Sequence, residues 1–156
     1  MSKISRYLSV VVLGLGVAAI AIGIAFIVQG ISKDLYLRDA LRDEKITLGL
    51  SQEQIENGDV VDNSVEAQRA SDIVRNDRRK IAPTYSDLLG GKQFDPTNPT
   101  QITYMQALNL EDSLNLAVAS FGLALVVIVT GVFMLLAGIA LIIVGWVTRG
   151  LAKRTS

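Results

Sequence analysis

The chain of 156 residues contains neither cysteine nor histidine. Without cysteine there is no disulfide, no thiolate metal ligand, no thiol nucleophile and no site for a lipid thioester. Without histidine the commonest general base, the commonest metal ligand and the side chain that switches near neutral pH are all missing. Most familiar catalytic constellations are excluded before any geometry is considered. No Walker loop or dinucleotide fingerprint is present, and nothing suggests nucleic-acid binding. The chain therefore reads as non-enzymatic, with no cofactor, no metal and no evident small-molecule substrate.

Charge is the second absence. Residues 7–32 and 113–148 contain no Asp, Glu, Lys or Arg. About 20 apolar residues span the hydrocarbon core of a bilayer, so each run is long enough to cross it. The first run exceeds the usual signal-peptide core of about 7–15 residues. It also ends in Gln29-Gly30-Ile31 rather than a small-x-small cleavage site, and it reads as an uncleaved anchor. The expected fold is an all-α membrane protein. It is an antiparallel two-helix transmembrane hairpin, with helices extended into a small extracytoplasmic helical segment. The boundaries are an N-tail at 1–6, a first span at 7–31 and an extracytoplasmic, mostly helical segment at 32–113. A second span follows at 114–147, on a helix starting near residue 99, and then a C-tail at 148–156.

The remaining charge is lopsided. All fifteen carboxylates lie between Asp34 and Asp112, while the tails hold only Lys3, Arg6, Arg149, Lys153 and Arg154. Positive residues close to span ends tend to stay cytoplasmic. Around the second span that vote is one-sided; around the first, Lys3 and Arg6 stand against Lys33, Arg38, Arg42 and Lys45. The second span decides the expectation: both termini cytoplasmic, the loop extracytoplasmic. Tyr7, Trp146 and Arg149 then anchor the inner interface.

The loop carries clear punctuation. Residues 32–44 hold good helix formers without Pro or Gly and should continue the first helix into water. Lys45 to Leu48 looks extended, and Gly49 ends it. Ser51 with Gln54 predicts a short capped helix stopped near Asn57-Gly58, and Asn63 with Glu66 opens another that runs to about Lys80, before Pro83. Tyr85 to Leu89 forms a further turn ahead of Gly90-Gly91. Asn98 is a natural N-cap with Pro99 at the first helical position. Nothing then breaks the chain up to Val147, which predicts one helix about 70 Å long.

Glycine within the apolar runs is periodic. Gly16, Gly23 and Gly30 repeat every seven residues, as do Gly131, Gly138 and Gly145. Lipid solvates leucine as well as another leucine does, so membrane helices associate through close packing, which small residues permit. A seven-residue repeat keeps one face towards a left-handed partner. In an antiparallel pair, Gly16 is expected near Gly145, Gly23 near Gly138 and Gly30 near Gly131. Ala124 and Ala117 extend the stripe at one end and Ser9 at the other. Such a seam either seals the two helices together or docks other chains.

Candidate chemistry is sparse. Arg75, Arg78, Arg79 and Lys80 read as a solvated helix face paired locally with Asp72 and Asp77. Asp95-Pro96-Thr97-Asn98 lacks the carboxylate density of a calcium loop and reads as a turn plus cap. Glu111-Asp112 is a carboxylate pair of the kind that does acid–base work, but no nucleophile or histidine lies near it in sequence. Neither span holds an ionisable residue apart from Tyr7, which argues against ion relays and voltage sensing.

Several stretches together resemble a family of small two-span membrane proteins from actinobacteria and Chloroflexi. They are Asp43-Glu44-Lys45-Ile46-Thr47, Thr84-Tyr85-Ser86-Asp87-Leu88, Asp95-Pro96-Thr97 and Asn109 through Ser113-Leu114 to Ala117-Val118-Ala119-Ser120-Phe121-Gly122. The likeness covers nearly the whole chain and implies the same two-span layout in a bacterial plasma membrane. Members often carry the label of aromatic ring-opening dioxygenase. Extradiol cleavage needs iron held by two histidines and a carboxylate, so the label does not suit this chain. The function expected is that of an accessory or scaffolding subunit of a larger membrane complex, partnered by lipid and other membrane subunits. The alternative is a self-associating hairpin forming a small homo-oligomeric pore or envelope sensor.

Overall fold

The computed structural model describes residues 3–154, with side chains described for 7–150. The ends of the two expected tails, residues 1–2 and 155–156, lie outside the described residues, as do the side chains of Lys3, Arg6, Lys153 and Arg154. The described chain is all-helical, without strands: α1 (Lys3–Glu44), α2 (Gln52–Glu56), α3 (Ser64–Ile81), α4 (Tyr85–Leu89) and α5 (Pro99–Arg154). Both α1 and α5 are long and apolar enough to cross a membrane. The chain divides into two compact units, one formed by the residues up to Asp34 with those from Ala124 onward, the other by Leu35–Leu123.

Helix ends follow the local chemistry. Ser51 caps α2 through the Gln54 N–H, and the Gln54 side chain accepts the Ser51 N–H in return, at 3.0 Å. At α3 the Asn63 side chain accepts from the Val65 and Glu66 N–H groups, at 3.1 and 3.0 Å. The reciprocal half of this cap differs from the expected box, because the Glu66 carboxylate accepts from the Asp62 N–H. Ala82 leaves the helix at φ −153°, ψ 141°, as the ring of Pro83 requires of the residue before it. Asn98 caps α5 by accepting from Thr100 and Gln101.

Two boundaries differ from expectation. Helix α5 does not stop at Val147 but continues to Arg154, making 56 residues and a length of about 80 Å. No proline follows Val147, and the single Gly150 is not enough to end a helix that is already propagating. Lys45 to Leu48 is not one extended run: Lys45 turns, Ile46 and Thr47 are irregular, and Leu48 opens a second turn with Gly49. Lys45 stands at φ 50°, its N–H bonds the Arg42 carbonyl, and the Leu50 N–H bonds the Thr47 carbonyl. Between these two local bonds the Ile46 carbonyl accepts from the distant Val61 N–H, so the segment is satisfied partly by turns and partly by the loop ahead of α3.

The Leu35–Leu123 unit has a small core of Val61, Ala67, Ala70, Val74 and Leu114, with Leu41, Ile46, Leu50, Ala107 and Val118 packed around it. Ala67, Ala70 and Val74 fall at i, i+3 and i+7, the spacing that puts them on one face of α3. Ser71 shares that face and is fully buried, donating to the Asn115 side chain at 2.7 Å.

Candidate functional site

Three features bring side chains or backbone together in ways that chemistry or recognition would use. The first is the packing of α1 on α5 within the apolar unit. Gly16, Gly23 and Gly30 are buried, and so are Ala124, Gly131, Gly138 and Gly145. A methyl group added at Gly23 would lie 2.7 Å from the Gly131 carbonyl oxygen, and one added at Gly131 would lie 2.7 Å from that of Gly23. Gly138 faces the Gly16 carbonyl at 2.7 Å, Gly30 faces that of Ala124 at 3.1 Å, and Gly145 meets the Leu13 side chain at 2.7 Å. Backbone therefore rests on backbone. By contrast Gly14 and Gly122, which break the heptad phase, have nothing within 4 Å.

The register differs from the expected one. Gly16 meets Gly138 rather than Gly145, Gly23 meets Gly131 rather than Gly138, and Gly30 meets Ala124 rather than Gly131. A seven-residue repeat looks the same after a slide of one repeat, so its glycines alone do not choose the register. The observed slide brings Ala124 opposite a glycine and buries Ser9 at the other end, adding a small residue to each side of the seam. The expected interface residues Tyr7, Trp146 and Arg149 all project outward, with Tyr7 at 72% and Trp146 at 73% exposure.

The second feature is a charged clamp between α3 and α5. The Glu111 carboxylate is buried and accepts from Arg75 Nε at 2.7 Å and Arg78 Nε at 2.8 Å. Arg78 is 8% exposed, donates to the buried Tyr104 hydroxyl, and lies 4.9 Å from that ring's centroid. Burial opposes ionisation of Glu111, yet the bonds from Arg78 and Arg75 outweigh it and hold its carboxyl below the ordinary value. The solvated-face reading of the basic run is thus corrected. Lys80 does pair locally with Asp77 at 2.7 Å, and Arg75 with Asp72 at 3.1 Å, but Arg75 and Arg78 also turn inward to Glu111. The signal was present in the spacing: Ala67, Ala70, Val74 and Arg78 occupy i, i+3, i+7 and i+11, which puts Arg78 on the core face of α3. With both carboxylate oxygens engaged, Glu111 is a structural anion. Asp112, its sequence neighbour, points to the exposed side.

The third feature is a groove of about 650 Å³ in the Leu35–Leu123 unit. Arg42 contributes from the last turn of α1 and Lys45 from just beyond it, Ile55 from α2, Asp59 and Val60 from the following loop, and Glu66 from α3. The Arg42 guanidinium is fixed by Asp62, at 2.6 and 2.9 Å, and the Val61 N–H bonds the Ile46 carbonyl at 2.7 Å. Lys45 is the one non-glycine residue with positive φ among the described residues. For a side chain other than glycine or asparagine such a conformation costs about 1–3 kcal/mol. Nothing in the sequence marked this groove, because its lining is drawn from four separate segments.

Among the described residues no group of His, Cys, Asp or Glu is arranged to hold a metal ion. The chain matches no protein-family model, no curated protein and no solved structure.

Proposed function

We propose that this chain is an integral membrane protein that acts without catalysis, as an accessory or scaffolding subunit of a larger membrane assembly. In this reading α1 and α5 form an antiparallel transmembrane hairpin in a bacterial plasma membrane, with both termini cytoplasmic and residues 32–113 outside. One observation carries the proposal: the apolar helices spend their glycine seam on each other, yet their outer faces stay uncovered. Only 11% of the most apolar window of either helix is buried, far less than a core helix would require. Leu15, Val17, Leu123, Phe133 and Leu136 are all more than half exposed. Surfaces of that size call for lipid or for other apolar helices.

Polar groups on those faces fit the same reading. The hydroxyls of Ser120 and Thr130 each donate to the carbonyl four residues back, at 2.8 Å. A hydroxyl satisfied within its own helix is what a bilayer demands.

The test is a native one. A tag placed after Ser156, mild detergent extraction and mass spectrometry of the native band should reveal a stoichiometric set of other subunits. A band holding this chain alone would replace the subunit reading with a homo-oligomer. Topology is tested independently, since the chain has no native cysteine. In intact cells a membrane-impermeant maleimide should label Ser86→Cys but not a cysteine appended to the C-terminus; the opposite pattern would reverse the orientation.

A further inference from the structure

We propose that the groove in the Leu35–Leu123 unit binds a small zwitterion, an ammonium and an anionic group carried on one molecule, of amino-acid or short-peptide type. The inference is independent of how the chain sits in a membrane. Its volume of about 650 Å³ falls within the range of small-ligand sites. Its walls are already fixed without a ligand, by the Arg42–Asp62 pair, by the Val61–Ile46 backbone bond and by the reciprocal cap of Ser51 and Gln54.

Most charges on the lining have partners. Arg42 is held by Asp62, and one oxygen of Glu66 accepts the Asp62 N–H. Lys45, Asp59 and Glu66 line the same groove and enter no ion pair among the described residues; Glu66 is engaged by a backbone N–H, and Lys45 and Asp59 are the cation and anion whose side chains have neither an ion pair nor a hydrogen bond. Lys45 also holds a left-handed backbone conformation at which glycine or asparagine is the residue of least strain. Strain kept at a site-lining residue points to a use for its side chain. Lys45 takes the ligand's anionic group, Asp59 takes its ammonium, and Ile55, 39% exposed, with Val60 offers the apolar wall between.

The experiment is calorimetric titration of the full chain in detergent micelles with two probes, trialanine with free termini and glycerophosphoethanolamine. The two distinguish a peptide from a lipid headgroup as the source of the zwitterion. Saturable binding of trialanine is expected, weakened about a hundredfold when its ends are acetylated and amidated, the loss of two charge-assisted hydrogen bonds. Lys45→Gly, which removes one of the two, should weaken it about tenfold while leaving the melting midpoint unchanged or higher, and Asp59→Asn should weaken it likewise. Tighter binding of glycerophosphoethanolamine with the same two dependences would assign the zwitterion to a lipid. No saturable heat with either probe at about 10 mM, or binding indifferent to both substitutions, would overturn the proposal.

Discussion

Substituting Gly131 by alanine tests the close packing of α1 on α5 with a single methyl group. That methyl would meet the Gly23 carbonyl oxygen at 2.7 Å, the Ile27 side chain at 2.8 Å and the Ile27 nitrogen at 3.0 Å. Two of these three atoms are backbone, so no rotamer change relieves the clash and the helices must separate. Overpacking of this kind costs about 1–3 kcal/mol. Alanine also favours the helix over glycine by about 1 kcal/mol, which offsets part of the loss. Gly14→Ala is the natural control, since it carries the same propensity gain and has nothing within 4 Å of the new methyl. The difference between the two variants isolates the steric part, about 1–3 kcal/mol, or roughly 5- to 150-fold in the folding equilibrium. The chain has no native cysteine, so a dye pair on cysteines introduced at the exposed Val10 and Val144 reports the separation of α1 from α5 during an SDS titration. Gly131→Ala should unfold at lower SDS than wild type, and Gly14→Ala at equal or higher SDS. If Gly131→Ala proves as stable as Gly14→Ala, the backbone contact is not there and the argument fails.

Further outcomes follow from the Leu35–Leu123 unit. Glu111→Ala leaves Arg75 and Arg78 facing each other without their anion and should destabilise the unit by about 1–3 kcal/mol in thermal melts. Arg78→Met in the same background should recover part of that loss, and no recovery would deny the clamp its central place. Because the folded pKa of Glu111 lies below its ordinary 4.5, its contribution is complete above that pH and is lost as the pH falls through the lower folded value. Stability should therefore decline in acid below about 4.5. Glu111→Gln should flatten that decline, and an unchanged acid limb would place the titrating group elsewhere. Asn63→Ala removes the acceptor of two N–H groups at the start of α3 and should cost about 1 kcal/mol, read as a lower melting midpoint, whereas Asn63→Ser should retain most of it.

Much of the helical layout was written locally. Ser51, Asn63 and Asn98 cap helices because each offers an oxygen to N–H groups two or three residues ahead, an interaction that needs no distant partner. Pro83 and Gly90 stop helices for equally local reasons, the latter at φ 55°. The end of α5 was less legible, because nothing local forbids a helix beyond Val147. The turn at Lys45 was also hidden, since lysine is not the residue that left-handed backbone usually selects.

The sequence by itself determined that two uncharged runs become long apolar helices, and that each carries small residues at a seven-residue interval. Both follow from backbone hydrogen bonding and side-chain size, which act within a few residues. Only the tertiary structure decided the register of the seam, because a repeat is indifferent to a slide by its own period. It alone decided that Arg75 and Arg78 close on Glu111 instead of facing water, since that needs α3 and α5 side by side. The groove, too, exists only after four segments meet. Pairing and burial are properties of segments distant in the chain, and their energies are settled only when those segments touch.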